Sequence, residues 1–157
     1  MAEDNDMARV TDRMRRLCSR REYCRSDIMS KVVVALDGDR EQAAKIVETL
    51  VNEKYIDDLR YASAFARDKS SIAGWGETKI RYMLSAKGIS REAVTQALEE
   101  IDASRARTRL EKLLENKLKT LKDDPQCRLK MLRFALGRGY GYDEAAEALD
   151  SLMNERT

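Results

Sequence analysis

Residues 84–101 read LSAKGISREAVTQALEEI, and their pattern recurs in residues 34–51, VALDGDREQAAKIVETLV, and in residues 135–152, ALGRGYGYDEAAEALDSL. Each stretch has a glycine at its fifth position: Gly38, Gly88 and Gly139. These glycines are 50 and 51 residues apart, and apolar residues stand four positions before and six, nine and thirteen positions after each of them. Any helical protein partly matches itself at helical spacing, but the constant distances from glycine to apolar position indicate a genuine repeat.

Apolar residues recur at every third or fourth position along nearly the whole chain, which is the spacing of amphipathic α-helices. The strand-like run at residues 32–34, VVV, lies inside such a stripe and has no second strand to pair with, so it is also predicted to be helical. With one helix before each repeated pair, the sequence predicts an all-α protein, a tandem array of three three-helix repeats that is elongated and able to curve. The predicted units are residues 1–55, 56–102 and 103–157. The predicted helices are residues 6–21, 25–36, 39–54, 57–70, 76–87, 90–102, 103–121, 124–137 and 141–154.

Composition excludes several classes of protein. Charged residues make up 37% of the 157 positions, aromatic residues only 6%, and proline occurs once, which argues against a β-sandwich or a small barrel. The absence of histidine excludes a Ser-His-Asp triad, a Cys-His dyad and a histidine-ligated metal site. The three cysteines lack C-x-x-C spacing and fit reduced thiols. Without a membrane-length apolar run or a signal-peptide core at the acidic start, we expect a soluble cytoplasmic protein with no cofactor or metal.

The net charge of +2 hides a strongly uneven distribution. Residues 9–25 carry seven arginines against two acids, residues 105–122 carry seven cations against two acids, and residues 126–138 carry four cations and no acid. Residues 141–157 are acidic instead, with five acids against one arginine. These basic helix faces are either solvated surfaces with intrahelical pairs or contacts for phosphates or an acidic protein. The candidate phosphate contacts are Arg13, Arg16, Arg20, Arg105, Arg109 and Lys112.

The adjacent acids Asp57 and Asp58 allow two interpretations. They could form a metal-binding carboxylate pair, as in a carboxylate-metal nuclease, but no third ligand stands at a suitable spacing. Acids at a helix start more often cap the helix and interact favourably with its dipole, which is the interpretation we favour. Trp75, in a Gly-Trp-Gly turn, is either a cap on the core or an exposed anchor. The predicted N-caps are Ser26, Asp57 or Asp58, Ser90, Asp123 or Asp124, and Asp143, with Pro125 in the first turn of its helix.

Four segments together resemble the RecX family of bacterial recombinase regulators. Residues 19–28, SRREYCRSDI, are similar to the family's S-R-R-E-Y-S-R-x-E-L, and residues 55–67 are similar to its G-Y-[LI]-D-D-x-x-[FY]-A-x-x-F-x-x-x-[RK]. Residues 76–89 resemble G-P-x-[RK]-I-x-x-x-L-x-x-K-G-[IV], and residues 130–140 resemble [KR]-x-x-x-F-L-x-R-R-G-[FY]. The segments occur in the family's order. The departures, all at turn positions, are Lys54 in place of glycine, Glu77 in place of proline, and Leu36-Asp37-Gly38 in place of the Lys-Gly stop.

The resemblance implies a non-enzymatic modulator of the RecA recombinase that binds the RecA–single-stranded DNA filament. Such a protein blocks filament extension or favours disassembly, and so lowers RecA ATPase, strand exchange and co-protease activity. The alternatives are a helix-turn-helix DNA-binding regulator, an enzyme and a generic scaffold, and DNA contacts of this chain are expected to be weak and non-specific. We also expect a monomer. The predicted partner contacts are Arg60, Arg67, Lys79, Arg81, Lys87, Arg133 and Arg138, and the motif positions expected to be structural are Tyr55, Asp57, Asp58, Phe65, Gly76, Gly88 and Gly139.

Overall fold

The computed structural model describes residues 2–155, with side chains from Asp4 onward, and this part of the chain forms nine α-helices and no strand. The all-α prediction is therefore confirmed, and the largest difference is at the first helix, which begins at Ala2 instead of residue 6. The helices are α1 (Ala2–Arg20), α2 (Arg25–Ala35), α3 (Arg40–Asn52), α4 (Asp58–Ser71), α5 (Glu77–Ala86), α6 (Arg91–Glu99), α7 (Ala103–Leu121), α8 (Cys127–Gly137) and α9 (Tyr142–Asn154).

Three separate hydrophobic clusters form the core, and each draws mainly on three consecutive helices. Helices α1–α3 bury Met14, Ile28 and Leu50 among others, and two further clusters occupy α4–α6 and α7–α9. The accessible surface is 10006 Å², whereas a compact monomer of 18.0 kDa would expose about 8,000 Å². This excess of surface fits a row of small cores and not a single globule. The exact boundaries after residues 55 and 102 stay predictions, because Ile56 packs into the first cluster and Cys24 into the second.

The sequence alignment on Gly38 is wrong by one residue. Val34 is 79% exposed, although its supposed equivalents Leu84 and Ala135 are buried. The residue that follows the C-cap of α2 in a left-handed conformation is Asp37, with φ 55°, which matches Gly88 and Gly139 at the ends of α5 and α8. Gly38 is the next residue of the turn and is equivalent to Ile89 and Tyr140, whose amides make the same hydrogen bond back to the end of the helix. The correct equivalents, each 51 residues apart, are Asp37, Gly88 and Gly139, the N-caps Asp39, Ser90 and Gly141, and the buried residues Ala43, Val94 and Ala145.

The N-cap predictions are partly correct. Asp57 and Ser90 cap α4 and α6 by accepting hydrogen bonds from backbone amides, which satisfies donors that a helix start leaves unpaired. Ser26 and Asp143 are not N-caps, because α2 begins after Cys24 and α9 begins after Gly141. The prediction for α8 is also wrong, because its N-cap is Gln126: Pro125 lies in the turn before the helix, where Asp124 accepts from the amide of Gln126. The unpredicted caps are Asp39 of α3 and Asp102 of α7.

Candidate partner-binding surface and unit junctions

The middle helices of the three units meet end to end. The backbone amides of Gly76 and Thr78, at the start of α5, donate to the carbonyl oxygens of Arg138 and Gly139, at the end of α8, over 2.8 and 3.0 Å. The hydroxyl of Ser26, at the start of α2, donates to the carbonyl oxygen of Lys87, at the end of α5, over 2.7 Å. Helix ends leave amides and carbonyls unpaired, and aligned helix dipoles favour contact between the end of one helix and the start of the next. The junctions between units therefore satisfy backbone groups that would otherwise lack partners.

The junction between the second and third units requires glycine at two positions. A Cβ on Gly76 would lie 2.5 Å from backbone atoms of Gly139, and a Cβ on Gly139 would lie 2.3 Å from Cβ of Lys79. Around this backbone crossing, a guanidinium nitrogen of Arg138 donates to the carbonyl oxygen of Ala73 over 3.0 Å. The hydroxyl of Tyr140 donates to the carbonyl oxygen of Gly74 over 3.1 Å. The junction is thus held by backbone contacts as well as side chains.

The junction between the first and second units uses side chains more heavily. The carboxylate of Asp58 accepts from the backbone amide of Arg25 over 2.8 Å, and Lys87 pairs with Asp27 over 2.8 Å. Burial tends to raise the pKa of Asp27, but hydrogen bonds from Lys87 and Cys24 outweigh it and hold that pKa below its usual value. Gly88 differs from Gly139, because a Cβ there would meet nothing within 4 Å.

Arg60 also belongs to this first junction. It pairs with Glu22 and donates to the carbonyl oxygens of Lys54 and Tyr55. The hydrogen bond with Glu22 is the main reason that the pKa of Arg60 is raised. Sequence reasoning missed the partners Glu22 and Asp27, although both lie in the first motif segment.

Trp75 lies half-buried at the edge of the second core cluster. Its ring meets Phe65 edge to face with the centroids 6.2 Å apart, and Phe65 in turn stacks on Tyr61. The ammonium groups of Lys69 and Lys79 lie 4.8 and 4.3 Å from the Trp75 ring centroid, within cation–π range. Of the two interpretations left open by the sequence, the structure supports a cap on the core.

The predicted partner contacts separate into two groups. Most of the cations in the motif segments already have partners within the chain: Arg60, Lys79 and Lys87 as described, Arg81 with Glu77 over 2.9 Å, and Arg138 with Ala73 and with the ring of Phe134. Other cations make no ion pair and no side-chain hydrogen bond within the described residues. These are Arg67, Arg133, Arg13, Arg16, Arg20, Arg105 and Lys112, and all seven are exposed.

The structure also brings together cations that are far apart in sequence. Arg67 of α4 and Arg105 and Arg109 of α7 line one cleft between the second and third units. Arg109 is held there by a 2.6 Å hydrogen bond to the buried hydroxyl of Ser70. Sequence reasoning grouped Arg105 and Arg109 as candidate phosphate contacts and named Arg67 as a partner contact, but it had no signal for Ser70 or for the convergence of the three. The arginines of α1 and Arg133 of α8 lie elsewhere, in the first and third units.

The paired acids at residues 57 and 58 both have structural partners. Asp57 caps α4, as the favoured interpretation predicts, and Asp58 binds the amide of Arg25 at the first junction. Within residues 2–155 no group of three or more Cys, Asp or Glu side chains is arranged to hold a metal ion. No helix in that same range is long and apolar enough to cross a membrane.

Comparisons with known proteins fit this architecture. A model of the second three-helix domain of RecX matches residues 57–98, which cover α4 to α6. The chain is 32% identical over 134 residues to the regulatory protein RecX of Chromohalobacter salexigens, which covers 85% of this chain and 86% of that relative. The chain belongs to the RecX family. A RecX of Clostridium botulinum is also 32% identical, over 120 residues, but there the match takes in 74% of this chain and only 56% of the longer relative.

Solved RecX structures share the fold. A crystal structure of a regulatory protein RecX superimposes with a TM-score of 0.85 over 95% of this chain and 74% of that one, at 22% identity. The RecX crystal structure from Lactobacillus salivarius gives a TM-score of 0.84 over 95% of this chain and 97% of its own, at 20% identity. The all-helical repeat architecture is therefore that of solved RecX proteins.

Proposed function

We propose that this RecX protein is a negative regulator of RecA that binds the RecA–single-stranded DNA filament and performs no chemistry itself. By blocking extension of the filament or promoting its disassembly, it would lower ATPase, strand exchange and co-protease activity. Membership of a family whose relatives are named regulatory proteins supports this assignment.

The observation that carries the proposal is the distribution of unpaired cations over the row of three cores. Arg13, Arg16 and Arg20 lie on α1, Arg67 lies on α4, and Arg133 lies on α8, so every unit offers at least one cation to a partner. A repeating polymer can meet such a row with several weak contacts at once, and linked contacts multiply in affinity. If the protein fits one conformation of the filament better than another, its differential affinity shifts the filament toward that conformation.

The test is RecA ATPase on single-stranded DNA while this protein is titrated in. Wild-type protein should lower the rate, and loss of activity well below equimolar protein would favour capping of filament ends over filling of the groove. The variant R13Q/R16Q/R20Q removes three unpaired charges from α1 and should need a higher concentration for the same inhibition. The control R40Q/K45Q/R91Q removes three exposed charges from α3 and α6 and should inhibit like wild type. Absence of inhibition by the wild-type protein would refute the proposal.

Direct DNA binding gives the opposing outcome. A helix-turn-helix regulator should bind free duplex tightly, with sequence preference and a steep salt dependence. Only weak, non-specific binding to DNA without RecA is expected here. Since each unit packs around its own core, we propose that the protein acts as a monomer, which sedimentation at several concentrations would test.

A further inference from the structure

A basic cleft of about 300 Å³ lies where α4, the end of α6 and the start of α7 meet. Three arginines line it: Arg67 from the second unit, and Arg105 and Arg109 from the third. Arg67 and Arg105 are exposed and make no ion pair or side-chain hydrogen bond within the described residues, so both guanidinium groups can reach a ligand. The cleft therefore concentrates positive charge between two units, and two of its three guanidinium groups are not paired with an acid.

Arg109 is the anchored arginine of the cleft. One of its terminal nitrogens donates to Ser70, but Nε is buried and has no hydrogen-bond partner within residues 2–155. A buried N–H without an acceptor is costly. The bond to Ser70, which is only 3% exposed, fixes the guanidinium in place before any ligand arrives.

Two acids also line the cleft, and both are engaged. Glu100 accepts from the hydroxyl of Ser63 over 3.2 Å. Asp102 caps α7 by accepting from the amide of Arg105, and that bond lowers its pKa, so the carboxylate is charged. Three arginines against two carboxylates leave the cleft positive, and the amino-terminal end of α7 adds partial positive charge. The acids limit the affinity for an anion without reversing the sign.

We propose that this cleft binds a phosphate group. Guanidinium donors from three arginines on two helices exceed what the two oxygens of a carboxylate accept, and they suit the several oxygens of a phosphate. The bound group would bridge α4 and α7 and so brace the second unit against the third. The proposal goes beyond the regulatory function and does not depend on it, because the site is tested on the purified chain without RecA.

The test is the thermal midpoint of unfolding of the full chain with added inorganic phosphate or pyrophosphate, at ionic strength matched with sodium chloride. Binding to the folded state raises the midpoint with ligand concentration. Since hydrogen bonds to charged groups are among the strongest in proteins, R67Q/R105Q should bind pyrophosphate at least about tenfold more weakly. E100Q, which removes a charge of the opposite sign, should bind it more tightly. The control R40Q/K45Q loses two charges from α3 in the first unit and should respond like wild type.

Further arms identify the source of the phosphate. ATP, a short oligodeoxythymidylate, and the same oligonucleotide with a phosphorylated end are compared by the same midpoint. A preference for the phosphorylated end or for ATP indicates a terminal phosphate, and equal binding of the two oligonucleotides indicates the backbone. The proposal is overturned if phosphate and pyrophosphate give no stabilisation beyond matched salt. It is also overturned if R67Q/R105Q, folded by circular dichroism, responds like wild type, or if an acidic peptide of equal charge binds better.

Discussion

Replacement of Gly139 by alanine should open the junction between the second and third units. Gly139 has φ 98°, a conformation that L-residues rarely adopt, and its added Cβ would lie 2.3 Å from Cβ and 2.7 Å from the backbone nitrogen of Lys79. Neither of those atoms lies at the flexible end of a side chain, so α5 and the end of α8 must move apart. That movement would break the two backbone hydrogen bonds that Gly76 and Thr78 donate across the junction.

The expected loss of stability follows from these contacts. A left-handed alanine costs about 1–2 kcal/mol, and two lost hydrogen bonds remove about 1–3 kcal/mol more, so G139A should lose about 2–5 kcal/mol in total. G76A isolates the clash, because Gly76 has φ −84° but its Cβ would lie 2.5 Å from the Gly139 backbone. G88A isolates the strain, because Gly88 has φ 76° with open space around it, and it should lose only about 1–2 kcal/mol.

Urea denaturation of the three variants measures these differences, and Trp75, the single tryptophan of the chain, reports the junction. Trp75 directly precedes Gly76, and its ring lies against Lys79. The emission of folded G76A and G139A should therefore shift to longer wavelength, while that of folded G88A should stay at the wild-type position. If G139A were no less stable than G88A, or if its folded emission were unchanged, the description of this junction as a close backbone crossing would be wrong.

Two further predictions concern the first junction and the thiols. D27N should lower stability at neutral pH by about 1 kcal/mol or less, given the partial exposure of its pair with Lys87. Because the pKa of Asp27 is lowered in the folded state, the difference in stability between wild type and D27N should disappear as the pH falls through that lowered pKa. Urea titrations at several pH values, with the exposed D68N as control, measure this difference. A difference that persists undiminished in acid would contradict the prediction. Cys24 is fully buried, and burial is the main cause of its raised pKa, so a thiol reagent should modify the half-buried Cys18 and Cys127 first. C24A should lack only the slow phase of labelling, and loss of a fast phase would place Cys24 at the surface.

Local patterns predicted most of the helices, because each helix carries its own apolar period. The third helix of each unit is the clearest case, where Val94 and Ala97 repeat in the sequence as Ala145 and Ala148. The error at Gly38 arose because a glycine marks a turn without fixing which of its residues directly follows the helix C-cap; in the first turn both Asp37 and Gly38 have positive φ. Asp37 occupies that position in the first unit, and the short polar side chain of aspartate tolerates the left-handed conformation.

Local patterns could not predict the junctions or the basic cleft. Arg67 and Arg109 are 42 residues apart, and only the packing of α4 on α7 brings them to one cleft. The Gly76–Gly139 crossing could not be predicted for the same reason. Each glycine alone predicts only a turn, whereas the need for glycine at both positions arises because the two backbones approach each other. Contacts of this kind depend on the relative placement of units, which helical periodicity does not encode.

The split between paired and unpaired cations decides which experiments on partner binding can be interpreted. Reversal of Lys79, Arg81 and Lys87 together would remove the Lys87–Asp27 pair and place a carboxylate over the Trp75 ring. A loss of RecA inhibition by that variant would then follow from a displaced unit as readily as from a lost contact. Replacement of Arg13, Arg16 and Arg20 breaks no ion pair or hydrogen bond within the described residues, so a loss there reports the surface itself. The paired motif cations hold the units in line, so we expect the contribution of this surface to partner binding to be measured most directly at the unpaired cations, both those outside the motif segments, such as Arg13 and Arg16, and those within them, such as Arg67 and Arg133.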